Sequence, residues 1–331
     1  MARQATSVDE LLARATERVP LVAADGKTGS SLEQLVVDGD RYVVKWVHVD
    51  DDWAMRGLGD LRARPRLAFD HGLLDVVPDR IDHTVVAAAP WGRNDWGAAL
   101  VMHDVSASLV PEGDAALPEP QHLGFLDAMA ALSARTWGWR DAIGLVPYGS
   151  RWLIFSDCWL DVERARGWPS PVPRIAADGW ARFGERAPAA ARDLVLGLRR
   201  EPWPLIDALG TTPTCFLHGD WKLGNLGTHP DGRVVLLDCT FPGEGPVCHE
   251  LAWYLSLNRA RLPVGHTKER VIADFRTALE RHGVELDDWW DRQLGLCLLG
   301  ALVQFGWEKA IGEDEELVWW CDAALAGAGW L

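Results

Sequence analysis

Two short apolar runs, Thr214–Leu217 and Arg233–Leu237, bracket a polar loop that carries His218, Asp220, Lys222 and Asn225 within eight residues. The second run ends on a carboxylate, Asp238, thirteen residues past Asn225. Strand ends hold their side chains firmly, so this pattern presents a base, a cation and two metal-seeking oxygens as one fixed cluster. The rest of the chain is read for what it adds around that cluster.

The first hundred residues predict a small antiparallel sheet with a helix against it. The N-terminal stretch 1–19 reads as an amphipathic helix. Leu32–Val37 and Arg41–Val49 are rich in β-branched and aromatic residues, and Asp38-Gly39-Asp40 between them signals a hairpin. A helical stretch follows over Trp53–Phe69, interrupted at Pro65. Two further strand-like runs, His83–Ala89 and Trp96–His103, are separated by turn residues over Pro90–Asp95. Ser106, Pro111, Gly113, Pro118 and Pro120 then mark a linker. Beyond it the periodicity is helical over His122–Trp137, Ile175–Leu198, Val247–Arg259, Lys268–Arg281, Asp287–Trp307 and Glu313–Ala326. The expected class is α+β with two lobes: residues 1–103, a linker at 104–120, and a mainly helical lobe at 121–331. Most of the 19 tryptophans should form core or groove walls.

Charge narrows the partners. With 33 Lys+Arg against 48 Asp+Glu the formal charge is −15, and no basic run offsets it. Nucleic acid and anionic membrane surfaces are therefore not expected partners. No run of about 18 apolar residues occurs, which argues against a transmembrane helix, and the N-terminus lacks a secretory apolar core. Six cysteines without a CxxC pair point to reduced thiols rather than a disulfide framework or zinc site. A cytoplasmic monomer or homodimer is expected.

The polar loop contains the parts that phosphoryl transfer needs. Asp220 can accept the proton of an attacking hydroxyl. Asn225 and Asp238 suit Mg²⁺, a hard cation that takes few protein oxygens. Lys222 can neutralise charge on the transferred group, and His218 can orient the loop by hydrogen bonding. A metallohydrolase built on His218, Asp220, Asp238 and His249 is disfavoured, because no HxH or HExxH pair occurs. A scaffold or sensor that binds nucleotide without turnover is the other alternative, and the intact Asp220 and Asp238 argue against it.

His218-Gly219-Asp220-(x)4-Asn225 followed by Asp238 resembles the catalytic loop and metal-binding aspartate of the aminoglycoside phosphotransferase/choline kinase-like family, which has a protein-kinase-like fold. The segment from Asp238 to Ala252 is similar to the family's aspartate, glycine-containing loop and acidic-Leu-Ala helix start, with Glu250 where the family usually has Asp. Gly219 stands where most protein kinases have Arg, which favours a small-molecule acceptor. The resemblance covers roughly residues 20–260.

That resemblance implies ATP (or GTP) as phosphoryl donor with Mg²⁺. It also implies a nucleotide-positioning loop at Asp25–Ser31, with Gly26, Lys27, Gly29 and Ser30, and a phosphate-binding strand lysine at Lys45. The loop is not a Walker A motif, since its GK[ST] ending lacks the spacing. A Glu from the following helix should hold Lys45. None occurs between Asp50 and Asp70, so Asp60 is the candidate and Asp52 the second. Met102, His103 and Val105 should contact the base. Three of the five lysines (27, 45, 222, 268, 309) fall in the glycine loop, the strand position and the catalytic loop. The acceptor should lie against the C-terminal helices, where Glu308, Glu313 and Glu316 cluster beside Trp307. A cationic hydroxyl compound such as an aminoglycoside, amino sugar or choline-like amine would suit that cluster.

Overall fold

The computed structural model describes residues 7–21, 28–258 and 261–331. It opens with α1 (Val8–Arg14), β1 (Ala15–Leu21), β2 (Ser31–Val37), β3 (Asp40–His48), α2 (Trp53–Gly57), α3 (Arg64–Asp70), β4 (Ile81–Asp82), β5 (Val85–Trp91) and β6 (Gly97–His103). Helices then dominate: α4 (Glu119–Arg135), α5 (Asp157–Arg166), α6 (Pro171–Arg186), α7 (Ala189–Arg200) and α8 (Trp203–Gly210). A polar segment carries β7 (Thr214–Leu217), β8 (Leu226–Thr228), β9 (Val234–Leu236) and β10 (Gly243–Pro246). The chain closes with α9 (Cys248–Asn258), α10 (Lys268–Arg281), α11 (Trp290–Ile311) and α12 (Asp314–Ala328).

The α+β class and its antiparallel N-terminal sheet are as expected, in the order β1-β2-β3-β6-β5. Along β3 the pleat alternates. Val44 joins one apolar cluster with Leu35 and Val101 under α1, while Val47 joins another with Leu100 and Met55. Lys45 therefore shares the face of Val47 and is itself buried. The expected N-terminal helix is only half correct. Ser7 caps α1 in a reciprocal box with Glu10, but from Ala15 the chain pairs with β2. Pro20 is tolerated because β1 lies at the sheet edge.

The stretch expected over Trp53–Phe69 is two helices, and its break precedes Pro65, which sits in the first turn of α3. Similarly Ile175–Leu198 divides at Pro188 into α6 and α7. α2 packs on the sheet through Met55 and on the helical region through its other side chains. Trp53 packs 5.4 Å from Phe155 and 5.7 Å from Trp159, and Arg56 grips the buried Glu163 of α5 through two bonds of 2.7 and 3.0 Å. Burying an apolar side chain of this size stabilises by about 3 kcal/mol. A second tie is β4, which runs parallel to β9 with Ile81 opposite Val234.

α11 is long and apolar enough by composition to cross a membrane, yet most of it is buried. It is the central strut of the helical region, packed against α6, α9 and α12. Gly300 and Gly306 on it lie directly under the rings of Trp152 and Trp180.

Candidate active site

β7 delivers the chain to a sharp turn at Gly219, whose φ of +86° and close approach to the Phe241 backbone leave no room for a side chain. The Gly219 N–H donates to Glu250 Oε1 at 2.9 Å, so Glu250 makes the bond expected of the family's shorter Asp. Asn258, at the end of α9, holds the far side of the loop: it accepts from the Leu223 N–H and donates to the Trp221 carbonyl. The loop is therefore fixed by the two ends of one helix.

Asp220 is buried and tightly bonded. Its Oδ2 accepts from the Asn225 amide at 2.8 Å and lies 3.5 Å from the Lys222 ammonium. Its Oδ1 accepts from Trp253 Nε1 at 3.0 Å. Burial raises its pKa, while Lys222, Trp253 and Asn225 pull it back. His218 is also buried; its Nδ1 accepts from the Asp220 N–H, and burial lowers its pKa to about 4. A neutral imidazole inside the turn fits the orienting role expected for it.

Asp238 follows β9 with a left-handed φ of +60°, an uncommon conformation for a residue with a side chain. Its Oδ1 accepts from Lys45 at 2.5 Å and from Thr240 at 2.7 Å. Burial alone would raise this carboxyl, but Lys45 and Lys222 overrule it and hold it well below the usual carboxylate range. The Leu237 N–H donates to the Asn225 carbonyl, which ties the metal-seeking residues to each other through the backbone. Lys45, Asp220, Lys222, Asn225 and Asp238 thus occupy one place; the spacing of the loop implied this for the last four, and the family resemblance for Lys45.

Other expectations need correction. Asp60 does not hold Lys45: its carboxylate accepts from the Arg62 and Arg64 N–H groups and organises the turn into α3. The short α2 ends at Gly57, before Asp60 can reach the sheet. Asp52 caps that helix through the Ala54 and Met55 N–H groups, and the charge of Lys45 acts on it. Burial lifts its pKa to about 6 against that pull.

Gly26 and Lys27 lie outside the described residues. Gly29 has a φ of +104° and packs onto the Asp51 carbonyl, so the backbone beside Ser30 is tucked against the start of α2. In the hinge segment Met102 is a ladder residue of β6, His103 stacks on Tyr42 at 5.3 Å, and the Asp104 carboxylate accepts from Gln34. The N–H groups of His103 and Asp104 already donate to Thr84 and Arg41. Val105 follows directly and accepts from the Ser108 N–H.

Two of the three carboxylates in the expected acidic cluster are paired with lysines. Glu316 pairs with Lys268 at 2.5 Å and accepts from Trp320, and Glu308 lies 2.7 Å from Lys309. Glu313 is the exposed N-cap of α12. Trp307 packs 5.3 Å from Phe155. Three residues that hold the site went unforeseen: Trp253, Thr240 and Asn258. Trp253 had a readable signal, since it stands one helical turn after Glu250 and shares its face.

Comparison with known proteins gives a consistent picture. A family model described as the phosphotransferase enzyme family matches residues 34–286. A choline kinase from Streptococcus pneumoniae superposes with a TM-score of 0.50 at 12% identity, covering 96% of this chain and 95% of its own. A microcompartment-associated aminopropanol kinase gives 0.52 at 13% identity over 96% and 93%. An amicoumacin kinase in complex with AMP-PNP, Ca²⁺ and Ami gives 0.52 at 14% identity over 92% and 87%. At these identities the structural likeness concerns the fold. No curated protein matches the chain significantly by sequence.

Proposed function

Because the chain belongs to the phosphotransferase enzyme family, we propose that it is a small-molecule kinase, transferring the γ-phosphoryl group of ATP or GTP to a hydroxyl of an amine-bearing or sugar-like acceptor. The observation that carries this reading is the convergence of Lys45, Asp220, Asn225 and Asp238 from distant parts of the chain.

Asp220 takes the acceptor hydroxyl at its carboxylate, held in orientation by Trp253 and Asn225. Its raised pKa makes it a better proton acceptor than a solvated aspartate would be. Lys45 and Lys222 place positive charge where the phosphates and the transferring group gather. The donor set fits Mg²⁺: Asn225 commits its amide nitrogen to Asp220, which leaves its amide oxygen for a hard cation beside the strongly ionised Asp238. When bound, that ion would offset the negative charge of the phosphates. The ion pair with Asp238 holds the Lys45 ammonium beside the carboxylate that would take the cation. Residues 1–103 would then serve as the nucleotide-binding lobe and 121–331 as the acceptor-binding lobe, joined by the linker at 104–120.

For the acceptor we favour amino alcohols, amino sugars and aminoglycosides. The fold neighbours include kinases named for choline and aminopropanol. Glu308 and Glu316 are paired with lysines, which leaves Glu313 as the exposed carboxylate of the acidic cluster. An aromatic face is the alternative for a cation: Trp307 is partly exposed and rests on the buried Phe155 at 5.3 Å. The test is a nucleotide-consumption screen with ATP and GTP over choline, aminopropanol, amino sugars, aminoglycosides and neutral sugars. Turnover with an amine-bearing alcohol that vanishes in Asp220→Asn is expected. Turnover confined to neutral sugars would overturn the acceptor class, and nucleotide binding without transfer to any of them would favour a sensor.

A further inference from the structure

Away from the catalytic loop, His122, His266 and Asp274 bring three ligand atoms within 4.8 Å of one another. His122 lies in the first turn of α4 and is fully buried. His266 stands in the turn that leads into α10, and Asp274 is on α10 itself. The two rings meet edge to face, with centroids 5.5 Å apart.

The outer nitrogen of each ring is engaged. His122 Nδ1 lies 2.9 Å from the Tyr254 hydroxyl on α9, and His266 Nε2 lies 3.3 Å from Glu119 Oε1 at the start of α4. A carboxylate only accepts, so His266 carries its proton on Nε2 and keeps a bare lone pair on Nδ1. When His122 donates to the phenol oxygen, its Nε2 is likewise a lone pair. Those inner atoms, His122 Nε2 and His266 Nδ1, are both buried and have no hydrogen-bond partner among the described residues. Two orphaned buried nitrogens beside a carboxylate leave acceptors facing acceptors, an arrangement that calls for an unseen partner.

We propose that His122 Nε2, His266 Nδ1 and the Asp274 carboxylate form a binding site for a divalent cation of the zinc class, with solvent in the fourth position. Two imidazole nitrogens and one carboxylate suit Zn²⁺ and its transition-metal neighbours, whereas Mg²⁺ and Ca²⁺ prefer all-oxygen surroundings. Tyr254 and Glu119 play the outer-shell part, fixing each ring's tautomer and aim. Arg270 Nε sits 2.9 and 3.0 Å from the two Asp274 oxygens, and a carboxylate has lone pairs enough for both neighbours. Entry is from the Glu119 side, where that side chain is half exposed. The ion would pin α4 to α10 and, through Tyr254, to the helix that holds the catalytic loop. This is a positioning site, separate from the nucleotide's metal.

The test uses full-length protein stripped with chelator and titrated with ZnCl₂ alone, against a competing chromophoric chelator, without nucleotide. One equivalent of Zn²⁺ should bind. His266→Ala and Asp274→Ala should each weaken binding by at least about tenfold, and Glu119→Gln by about tenfold as an outer-shell loss. Asp238→Asn should still bind one equivalent. Co²⁺ in place of Zn²⁺ should give a tetrahedral absorption band that His266→Ala loses. His266 lies in a turn, so its variant reports binding even if His122→Ala fails to fold; circular dichroism of the metal-free protein checks this. No binding by the wild type, equal affinity in His266→Ala, or loss of the equivalent in Asp238→Asn would each overturn the site.

Discussion

Lys45 on β3 and Asp238 beyond β9, 193 residues apart, meet at 2.5 Å across the cleft. The ammonium offsets the charge of the buried carboxylate and holds it ionised. Replacing Lys45 with Met should lower kcat by about 10²–10³-fold, as loss of one charge-stabilising donor does. Asp238→Ala should abolish divalent-cation-dependent transfer altogether. Steady-state kinetics over a cation titration checks both; a Lys45→Met enzyme with unchanged kcat would remove Lys45 from the phosphate site.

The bond from Trp253 to Asp220 gives a finer prediction. Asp220→Asn should cut kcat by about 10³-fold or more, in the range of a lost general base, while fluorescent nucleotide analogues still bind. Trp253→Phe keeps the aromatic packing but removes an N–H that holds the Asp220 carboxyl down. The acid limb of its kcat/KM profile should therefore move to higher pH. A limb that stays in place would show that this hydrogen bond does not tune the base.

Gly219 tests the loop's geometry. An alanine there meets both an unfavourable φ and the Phe241 backbone. A loss of about 1–3 kcal/mol is expected from strain of this kind, together with a large fall in kcat. Denaturant titration reads the first, and wild-type stability in the variant would mean that the turn can re-form elsewhere.

Glu250 carries a pH signature. Burial raises its pKa from 4.5 to about 7, with the Gly219 N–H and Arg151 opposing. Between those values the folded protein keeps a proton that the unfolded chain has released, so this residue's contribution to stability falls as pH rises from about 4.5 to 7. Glu250→Gln keeps an acceptor for Gly219 and removes the titration. Its unfolding midpoint should decline less than that of the wild type across the window, and parallel curves would count against a perturbed carboxyl.

Legibility in the sequence followed locality. His218, Asp220, Asn225 and Asp238 lie on one strand–loop–strand unit, so spacing alone placed them together. Lys45 could be found because a hairpin fixes its face. Asp60 misled because a helix expected to run to Pro65 ends at Gly57, and only the break decides which carboxylate faces the sheet. Glu316 looked unneutralised because proximity of Lys268 on α10 to α12 is a fact of packing, not of order. Trp253 carried its positional hint, but its bond to Asp220 depends on how α9 seats beneath the loop.

The pairing of β4 with β9 bears on biosynthesis. Ile81 leaves the ribosome about 150 residues ahead of Val234, its neighbour in that ribbon. At ordinary elongation rates the early segment waits on the order of ten seconds or more with its edge uncovered. The nascent N-terminal half is thus an unfinished object, and severing the gene between the two strands should yield fragments that need each other to become native.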